Sequence, residues 1–424
     1  MTRLASTGDC GGRTMCGILI TKRPSANNSF IQRRGPDCTN SITVDDFHFT
    51  HNLLHITGKR TQQPFVDGDI VCLYNGEIYN HVYRDSDGEV LIPLYREHGE
   101  DFVRHLDGEF AVALYDFGRR LAIFATDPFA TKPLWRNGAQ AASYQSGVGG
   151  SPVPPDTIVT VNLSTRQVRE RRIGTFDFDH QHKDTYDDWI AAFDRAMAKR
   201  AYDHCFINLS AGYDSGAIDC ALARMGTDYK PFSIEGQENL DLLRCRNRTG
   251  TILKMTEEII AEKREHLRTF AEPYTYRLTA PNGNIYEHDM LDDKATMGLA
   301  SIYTLANDEG RRVNLSGQGA DEIMTDYSHW PWATQLKGIF PERLDMWRNF
   351  DDNYQRAYLT KEEYIAGAYG IETRYPFLDR DVVQEFLWLT PELKNRNYKA
   401  PLHEYLTRND YPFEAGTKTG FLVI

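Results

Sequence analysis

The sequence has no long apolar run, no Cys-x-x-Cys pair and no excess of basic residues. No apolar stretch approaches ~18 residues, so a membrane-spanning helix is not expected. Its 7 cysteines are scattered, which argues against a disulfide framework or a zinc site and favours a reducing, cytoplasmic compartment. A formal net charge of −12 argues against a nucleic-acid-binding protein and against a protein that binds anionic membranes. Residues 1–14 are polar and lack the apolar core of a secretory signal.

What is present is a chain of 424 residues, 41% hydrophobic and 12% aromatic, which fits a globular protein of two domains. The first 175 or so residues are rich in predicted β-strands. These strands are predicted over 69–74, 109–115, 120–125, 157–163 and 167–171, with a turn at Asn75-Gly76. Repeated antiparallel pairs of this kind predict stacked sheets.

The pattern changes near residue 180, after the polar segment 180–184. Apolar residues recur at helical spacing over 186–202, and short strands then alternate with helices. The predicted strands cover 205–209, 231–234 and 312–315, and a helix is predicted over 215–224. Such alternation predicts a doubly wound parallel sheet that binds ligands at the carboxyl ends of its strands.

Cys16 directly follows a second methionine, Met15, at the start of the first strand-like block. If residues 1–15 are a mis-assigned start or a leader that is removed, Cys16 becomes the N-terminal residue. Its thiol can then act as a nucleophile, and its α-amine, with a reference pKa of ~7.7–8.0, can accept the proton. The tetrapeptide by itself equally fits a small buried cysteine.

Two small, polar loops follow predicted strands in the second half of the chain. The first loop, 209–215, combines Ser210, Gly212, Asp214 and Ser215 with a helix start, a combination that suits a pyrophosphate and a magnesium ion. It lacks the Gly-Lys-Ser/Thr ending of a Walker loop, and an ordinary capped strand–turn–helix is the alternative.

The second loop, 315–322, also leaves a predicted strand and also ends in carboxylates, at Asp321 and Glu322. Loops at the carboxyl ends of parallel strands face one crevice, so Asp214 and Asp321 are predicted to share metal ions on a nucleoside triphosphate. The alternative for the acidic pair is stabilisation of a helix N-terminus.

Six short segments occur in order along the chain: Cys-Gly-Ile at 16–18, Arg-Gly-Pro-Asp at 34–37, Asn-Gly-Glu-Ile-Tyr-Asn at 75–80, Ser-Asp-Gly-Glu-Val at 86–90, Ser-Ala-Gly-Tyr-Asp-Ser at 210–215 and Gly-Ile-Glu-Thr-Arg-Tyr-Pro-Phe-Leu-Asp at 370–379. With these segments the chain resembles, from Cys16 to Phe421, the asparagine synthetase family of glutamine-dependent amidotransferases. The resemblance implies an α/β multidomain protein. An N-terminal-nucleophile glutaminase, an αββα sandwich of antiparallel sheets, is expected over 16–178, and a doubly wound, parallel-sheet ATP pyrophosphatase domain over 179–424.

The resemblance also implies roles for residues of the first domain. Cys16 attacks the side-chain amide of glutamine, and the Asn75 side chain and the Gly76 N–H form the oxyanion hole. Glu77 and Asp87 hold the α-amino end of glutamine.

In the second domain, the resemblance implies that ATP activates an acceptor carboxylate as an acyl-adenylate, from which ammonia displaces AMP. The implied ATP-binding residues are Leu209, Ser210, Gly212, Asp214, Ser215, Ile234, Ser316 and Gly317, with Mg²⁺ held by Asp214 and Asp321. Lys399 and Lys418 match basic positions of the family, Lys399 as the lysine that steadies the phosphates. A homodimer is left open by the resemblance.

Three departures separate this chain from the family pattern. Leu53 stands where the family has an arginine that clamps the α-carboxylate of glutamine, although Lys59 or Arg60 lies nearby in sequence. Gln318 replaces a glutamate, so aspartate as the acceptor is one option among several. The sequence ends at Ile424, where relatives continue for tens of residues, so part of the acceptor pocket or a tail helix is expected to be missing.

Three functions therefore remain open from the sequence. The first is an amide ligase that uses ATP and glutamine, with aspartate or a related acid as acceptor. The second is a ligase for another carboxylate, such as a natural-product or saccharide acid, that uses ammonia or another amine beside a weakened glutaminase. The third is a non-catalytic homologue that binds nucleotide.

Overall fold

The computed structural model describes residues 14–23, 28–236, 238–328 and 335–416, and the chain divides into two compact units, 1–173 and 174–424. Residues 174–178, placed in the first domain by the sequence, belong to the second unit. The Asp177 N–H donates to Gln384 Oε1 (2.9 Å), and Gln384 Nε2 donates to the Asp177 carbonyl (3.0 Å). Within the described ranges, no helix has both the length and the apolar character needed to cross a membrane.

The first unit is built mainly from strands. They are β1 (Thr14–Thr21), β2 (Cys38–Val44), β3 (Phe47–His55), β4 (Phe65–Asp67), β5 (Ile70–Ile78), β6 (Gly108–Asp116), β7 (Leu121–Thr126), β8 (Trp135–Asn137), β9 (Gln140–Ala142), β10 (Ser151–Pro152), β11 (Thr157–Asn162) and β12 (Val168–Arg172). Its helices are α1 (Ser29–Arg34), α2 (Leu91–His98) and α3 (Gln145–Val148), with 3₁₀ turns at Asp87–Val90 and Gly99–His105.

All pairings among these strands are antiparallel, and they form two layers. One layer runs β2-β3-β1-β9-β8-β10, the other contains β4-β5-β6-β7-β11-β12, and the layers join through a single residue pair, Thr14 with Gly76. Ile18 and Phe49 from one layer and Leu73 and Phe124 from the other share one buried cluster. Helix α1 packs on β1 and helix α2 on β5, so the expected αββα order is present.

Strand β5 alternates between two cores, as a strand with both faces covered must. Leu73 belongs to the cluster between the layers, whereas Cys72 and Tyr74 belong to the cluster under α2. The predicted turn at Asn75-Gly76 is wrong: both residues lie inside β5, opposite Ala111 and Phe110 of β6. Pairing along the whole length of β6 overrides the local turn preference.

The second unit alternates strands and helices. Its strands are β13 (Cys205–Asn208), β14 (Tyr229–Glu235), β15 (Thr251–Lys254), β16 (Thr275–Thr279), β17 (Ile285–Asp289), β18 (Val313–Leu315) and β19 (Glu372–Arg374). Its helices are α4 (Asp187–Arg200), α5 (Tyr213–Met225), α6 (Leu240–Arg246), α7 (Glu257–Phe270), α8 (Lys294–Asp308), α9 (Ala320–Met324), α10 (Tyr354–Tyr369), α11 (Arg380–Trp388), α12 (Pro391–Asn395) and α13 (Ala400–Arg408), with 3₁₀ turns at Met290–Asp292 and Pro376–Leu378.

Five strands form the predicted parallel sheet, in the order β15-β14-β13-β18-β19. Strands β16 and β17 form a separate antiparallel hairpin. The chain winds outward from β13 to β15 and then continues on the other side with β18 and β19, so the winding direction reverses between β13 and β18. A reversal of this kind opens a crevice at the carboxyl ends of the two strands, where doubly wound proteins bind ligands.

Candidate functional site

Cys16 lies in β1, fully buried, beside the strand that carries Asn75. The Cys16 N–H donates to Asn75 Oδ1 at 2.8 Å. The pairing of Thr14 with Gly76 brings the beginning of β1 to β5 at this point. The structure therefore places the predicted nucleophile next to both predicted oxyanion-hole residues.

The two polar atoms of the Asn75 side-chain amide differ in their hydrogen bonding. Its oxygen accepts from Cys16, while its buried Nδ2 has no hydrogen-bond partner among the described residues. A buried donor without a partner costs ~1–3 kcal/mol and calls for an explanation such as a catalytic role. A ligand oxygen bound near Cys16 would satisfy it.

Gly76 is a position that only glycine fits. Its φ is +131°, and a Cβ atom would lie 1.9 Å from the Glu109 carbonyl oxygen of the neighbouring strand. The absence of a side chain at Gly76 therefore lets the backbones of β5 and β6 approach closely beside Asn75.

The two predicted glutamine-binding carboxylates lie in a buried polar layer along β5. Asp87 is fully buried, and its Oδ2 accepts from the Tyr74 hydroxyl and the Ile78 N–H, both at 2.8 Å. Glu77 pairs across the strands with Glu109, whose carboxylate lies 3.8 Å from the buried Lys132 Nζ. Asp87 thus fixes the end of β5, and Lys132 is a buried charge near the site that the sequence analysis missed.

No positive charge lies on the stretch of β3 opposite Cys16. Leu53 pairs with Cys16 and is fully buried, and two residues earlier burial lowers the pKa of His51 to about 3, so its imidazole is neutral. Lys59 Nζ donates to Asp85 Oδ2 at 3.0 Å, and Arg60 donates to the Asp37 carbonyl. Both candidate replacements for the family arginine are therefore engaged with other groups.

In the second unit, the first loop (209–215) leaves β13 and enters α5, and hydrogen bonds from within and from outside the loop hold it. The Ser210 N–H donates to Ser215 Oγ (3.0 Å), and the Gly212 N–H donates to Ser210 Oγ (3.1 Å). Arg246, from α6, donates through Nη1 to the carbonyls of Ser210 and Gly212, both at 2.8 Å. Arg246 orients the loop from behind, a role that its sequence neighbourhood did not indicate.

The second loop (315–322) contacts the first. A Cβ atom on Gly317 would lie 3.0 Å from the Asp214 Cβ, so the absence of a side chain at 317 lets the two loops approach. The predicted residues Leu209, Ser210, Gly212, Asp214, Ser215, Ser316, Gly317 and Asp321 thus gather at the β13–β18 crevice.

Lys399 joins the carboxylates of both loops. Its Nζ lies 2.6 Å from both carboxylate oxygens of Asp214 and 3.0 Å from Asp321 Oδ1, and only 3% of the residue is exposed. Burial opposes the charge, but Asp214 and Asp321 more than offset it and raise the pKa of Lys399 well above its ordinary value. Lys399 is therefore a cation at the point where the two loops meet.

The same carboxylates fit a magnesium ion. The described residues contain no group of three or more His, Cys, Asp or Glu side chains arranged to hold a metal. Mg²⁺, however, is commonly held by one or two carboxylates together with substrate phosphates and water, and Asp214 and Asp321 supply such a pair. The donor set therefore suits a metal that arrives with a nucleotide.

Glu362, on α10, is a buried carboxyl behind the second loop that the sequence analysis missed. Its Oε2 accepts from the Ser316 hydroxyl (2.9 Å), and its Oε1 accepts from Tyr303 and from Asn314 (3.2 Å each). Ser316 Oγ in turn accepts from the Gln318 N–H (3.2 Å). The Ser316 hydroxyl proton is thus directed inward, and the Ser316 side chain positions the loop.

We expect the effect of Glu362→Gln on the free energy of unfolding to be more favourable at pH 8 than at pH 5. Burial raises the pKa of Glu362 to about 7, above that of the unfolded chain, so its stabilising contribution is present at acidic pH and is lost as pH rises through 7. The difference in unfolding free energy between variant and unaltered protein should move in favour of the variant by roughly 1–3 kcal/mol between the two pH values.

Urea unfolding at pH 5 and pH 8 measures this change. Glu392→Gln, which alters a carboxylate with 83% of its side chain exposed, is the control and should show no such shift. A pH-independent effect of Glu362→Gln would contradict the raised pKa.

One predicted position stands apart from the loops. The Ile234 side chain packs in the hydrophobic core with Phe206 and Met297, so the backbone is what β14 can offer a ligand there. Lys418 lies outside the described residues.

The matched segment 370–379 forms a buried ionic network. Arg374 Nε donates to Glu372 Oε1 at 2.6 Å, and both residues are fully buried. Asp379 Oδ2 accepts from Arg200 Nη1 (2.7 Å) and from Lys199 Nζ (3.0 Å). This segment ties β19 and the start of α11 to α4, and its role is structural.

Comparison with known proteins gives two family matches. A glutamine amidotransferase domain matches residues 15–148, and asparagine synthase matches residues 190–345 and 330–411. Asparagine synthetase (glutamine-hydrolyzing) 1 of Saccharomyces cerevisiae is 25% identical, over 90% of this chain and 77% of its own length. The corresponding enzyme 2 of Arabidopsis thaliana is 25% identical, over 90% and 72%.

A solved structure, the glutamine phosphoribosylpyrophosphate amidotransferase from B. subtilis, overlaps 79% of this chain and 77% of its own. The identity is 12% and the TM-score 0.25, too low to inform the fold.

Proposed function

Since this chain belongs to the asparagine synthase family, we propose that it is an ATP-dependent carbon–nitrogen ligase that forms an amide with ammonia from glutamine. The observation that carries the proposal is the meeting of the two loops at the β13–β18 crevice, with Lys399 bound to Asp214 and Asp321. A site with this lysine and two carboxylates is suited to the triphosphate of a nucleotide with its metal.

In the first unit, Cys16 is the proposed nucleophile for the side-chain amide of glutamine. Its sulfur forms a thioester as ammonia leaves, and a processed N-terminus would provide the α-amine that carries the proton. The Asn75 Nδ2, a buried donor without a described partner, and the Gly76 N–H would stabilise the oxyanion. Glu77 and Asp87 are the proposed partners of the glutamine α-amino group.

In the second unit, the proposed reaction begins when the acceptor carboxylate attacks the α-phosphorus of ATP. Pyrophosphate leaves, and ammonia then displaces AMP from the acyl-adenylate. The backbone and hydroxyl groups of the first loop would hold the pyrophosphate, and Lys399 would balance its charge. Asp214 and Asp321 would hold Mg²⁺, and the bound ion would supply further positive charge to the phosphates.

The acceptor is an acid, aspartate or a related carboxylate, and its identity is the part of the proposal to be tested first. Pyrophosphate release should be measured across a panel of carboxylic acids, with glutamine, ammonia and hydroxylamine as nitrogen donors. We expect one acid to trigger release. If no acid does, the nucleotide-binding, non-catalytic function is favoured.

The proposal also includes a cytoplasmic location and a homodimer.

Asp214→Asn is expected to reduce pyrophosphate release by about 10² or more, the size of effect seen when an electrostatic contact to transition-state charge is removed. The substitution removes one of the two carboxylates bound to Lys399. Asp241→Asn is the matched control, since Asp241 also lies in the first turn of a helix but its side chain is 98% exposed. Equal activity of the two variants would contradict the proposed site.

A second candidate function is favoured by one observation in the first unit. Leu53 and the neutral His51 leave β3 without a cation opposite Cys16, and a glutamine α-carboxylate needs one. In this alternative, free ammonia or another amine reacts with the acyl-adenylate. Adding glutamine then gives no more amide than a reaction with no nitrogen donor.

A further inference from the structure

Glu238 places a carboxylate against the backbone of the first loop. It lies between β14 and α6, and its Oε2 accepts a hydrogen bond from the Ala211 N–H at 2.5 Å. Glu238 is 27 residues from Ala211 in sequence, so the contact is made by the fold and not by the loop itself. The Ala211 N–H is thereby occupied by a protein carboxylate, a group of the same charge as a phosphate.

The other loop N–H groups next to it are satisfied from within the loop. Those of Ser210 and Gly212 donate to the Ser215 and Ser210 hydroxyls. Among the N–H groups of residues 210–212, the one bound by a group from outside the loop is therefore that of Ala211. Since a loop of this type binds phosphate through backbone N–H groups, Glu238 holds the position that a phosphate oxygen would take.

The Glu238 carboxylate is held there against an electrostatic cost. Burial raises the pKa of Glu238 to about 7, while the Ala211 N–H and the charge of Arg246 act in the opposite direction. A pyrophosphate group in the same loop would add negative charge next to this carboxylate. The ionised carboxylate and a pyrophosphate would repel each other strongly at one desolvated site, and both would accept from the same Ala211 N–H, so only one of them can hold it.

We propose that Glu238 is an internal competitor for the pyrophosphate portion of ATP, which leaves the Ala211 N–H when the nucleotide binds. The inference rests on the proposed function, because it assumes that the first loop is the pyrophosphate site. The nucleotide then binds only the fraction of molecules in which Glu238 has moved away, and its apparent affinity falls by that fraction.

The test is the affinity of the protein for inorganic pyrophosphate, and separately for ATP, in the presence of Mg²⁺, measured by isothermal titration calorimetry. Glu238→Ala should bind pyrophosphate roughly tenfold more tightly than the unaltered protein, the effect of freeing one charge-assisted hydrogen-bond donor. Glu238→Gln, which keeps an acceptor but not the charge, should fall between the two. It also serves if the alanine variant does not fold.

Asp241→Ala is the control for a general loss of negative charge. Asp241 lies three positions further along the same segment and its side chain is 98% exposed, so its removal should leave the dissociation constant within about twofold, as expected for a screened surface charge.

The possible results separate the two proposals. If the unaltered protein binds pyrophosphate and Glu238→Ala binds it equally or more weakly, Glu238 is not a competitor, and the proposed function stands without it. If neither protein binds pyrophosphate or ATP, the first loop is not the pyrophosphate site and both proposals fail. Tighter binding by Glu238→Ala and by Asp241→Ala alike would show a charge effect and overturn the specific role of Glu238.

Discussion

Replacing Cys16 by alanine is expected to abolish glutamine-dependent amide formation and to leave ammonia-dependent pyrophosphate release essentially unchanged. Cys16 is buried beside Asn75, and its sulfur is the one group proposed to become covalently bound to glutamine. Loss of a covalent nucleophile commonly lowers turnover by 10⁴-fold or more, whereas the second unit keeps all of its proposed residues. Product formation with glutamine and with ammonia, measured side by side, gives the ratio.

Cys38 offers the matched control. It pairs with Leu53 from the strand on the other side, so Cys16 and Cys38 flank the same leucine, and Cys38 is partly exposed. Cys38→Ala should retain glutamine-dependent activity. A glutamine analogue with an electrophilic group should add once to the unaltered protein and to Cys38→Ala, and not to Cys16→Ala.

Intact-mass analysis of the unaltered protein adds a second measurement. A chain that begins at Cys16 and carries one adduct is the expected result. Three results would together establish the alternative function, a ligase that uses free ammonia or an amine. They are an N-terminus upstream of Cys16, no adduct, and equal activity of Cys16→Ala and the unaltered protein with glutamine. The Leu53 observation would then be its structural explanation.

The largest expected effect on stability is that of Asp379→Asn, which should lower the unfolding free energy by about 3–5 kcal/mol. Asp379 accepts from Arg200 and Lys199, and Arg200 is only 1% exposed. Burial raises the pKa of Asp379, but the two cations more than offset it, and the pKa lies below its ordinary value. The carboxylate is therefore ionised at neutral pH, and asparagine would leave buried positive charge without a counter-charge.

Urea unfolding at pH 7 measures this effect. Because the pKa of Asp379 is lower in the folded protein, its contribution is present at neutral pH and is lost as pH falls through the folded pKa, so the variant and the unaltered protein should converge in acid. Asp381→Asn, at the same helix start but with 53% of its side chain exposed, should change stability by less than about 1 kcal/mol. An equally small effect at Asp379 would contradict the role of the network.

Several features of the fold could be predicted because they depend on short stretches of sequence. The predicted parallel strands are confirmed within a few residues, as is the helix α5, which runs from Tyr213 to Met225. Apolar periodicity and the small residues of each loop are local properties, and they determine where a strand ends and a helix begins. The prediction of a turn at Asn75-Gly76 was wrong because cross-strand pairing with β6 outweighs the local turn preference of these two residues.

The sequence by itself determined that the chain has two kinds of architecture, a strand-rich first half and an alternating second half, and which residues are able to act as nucleophile and as phosphate loop. Only the tertiary structure decided which groups meet. Lys399 reaches Asp214 across 185 residues, and Glu362 reaches Ser316 across 46. Buried charged and polar groups must be paired, and strand order and helix packing decide which groups lie close enough to pair. No local sequence pattern encodes these long-range contacts.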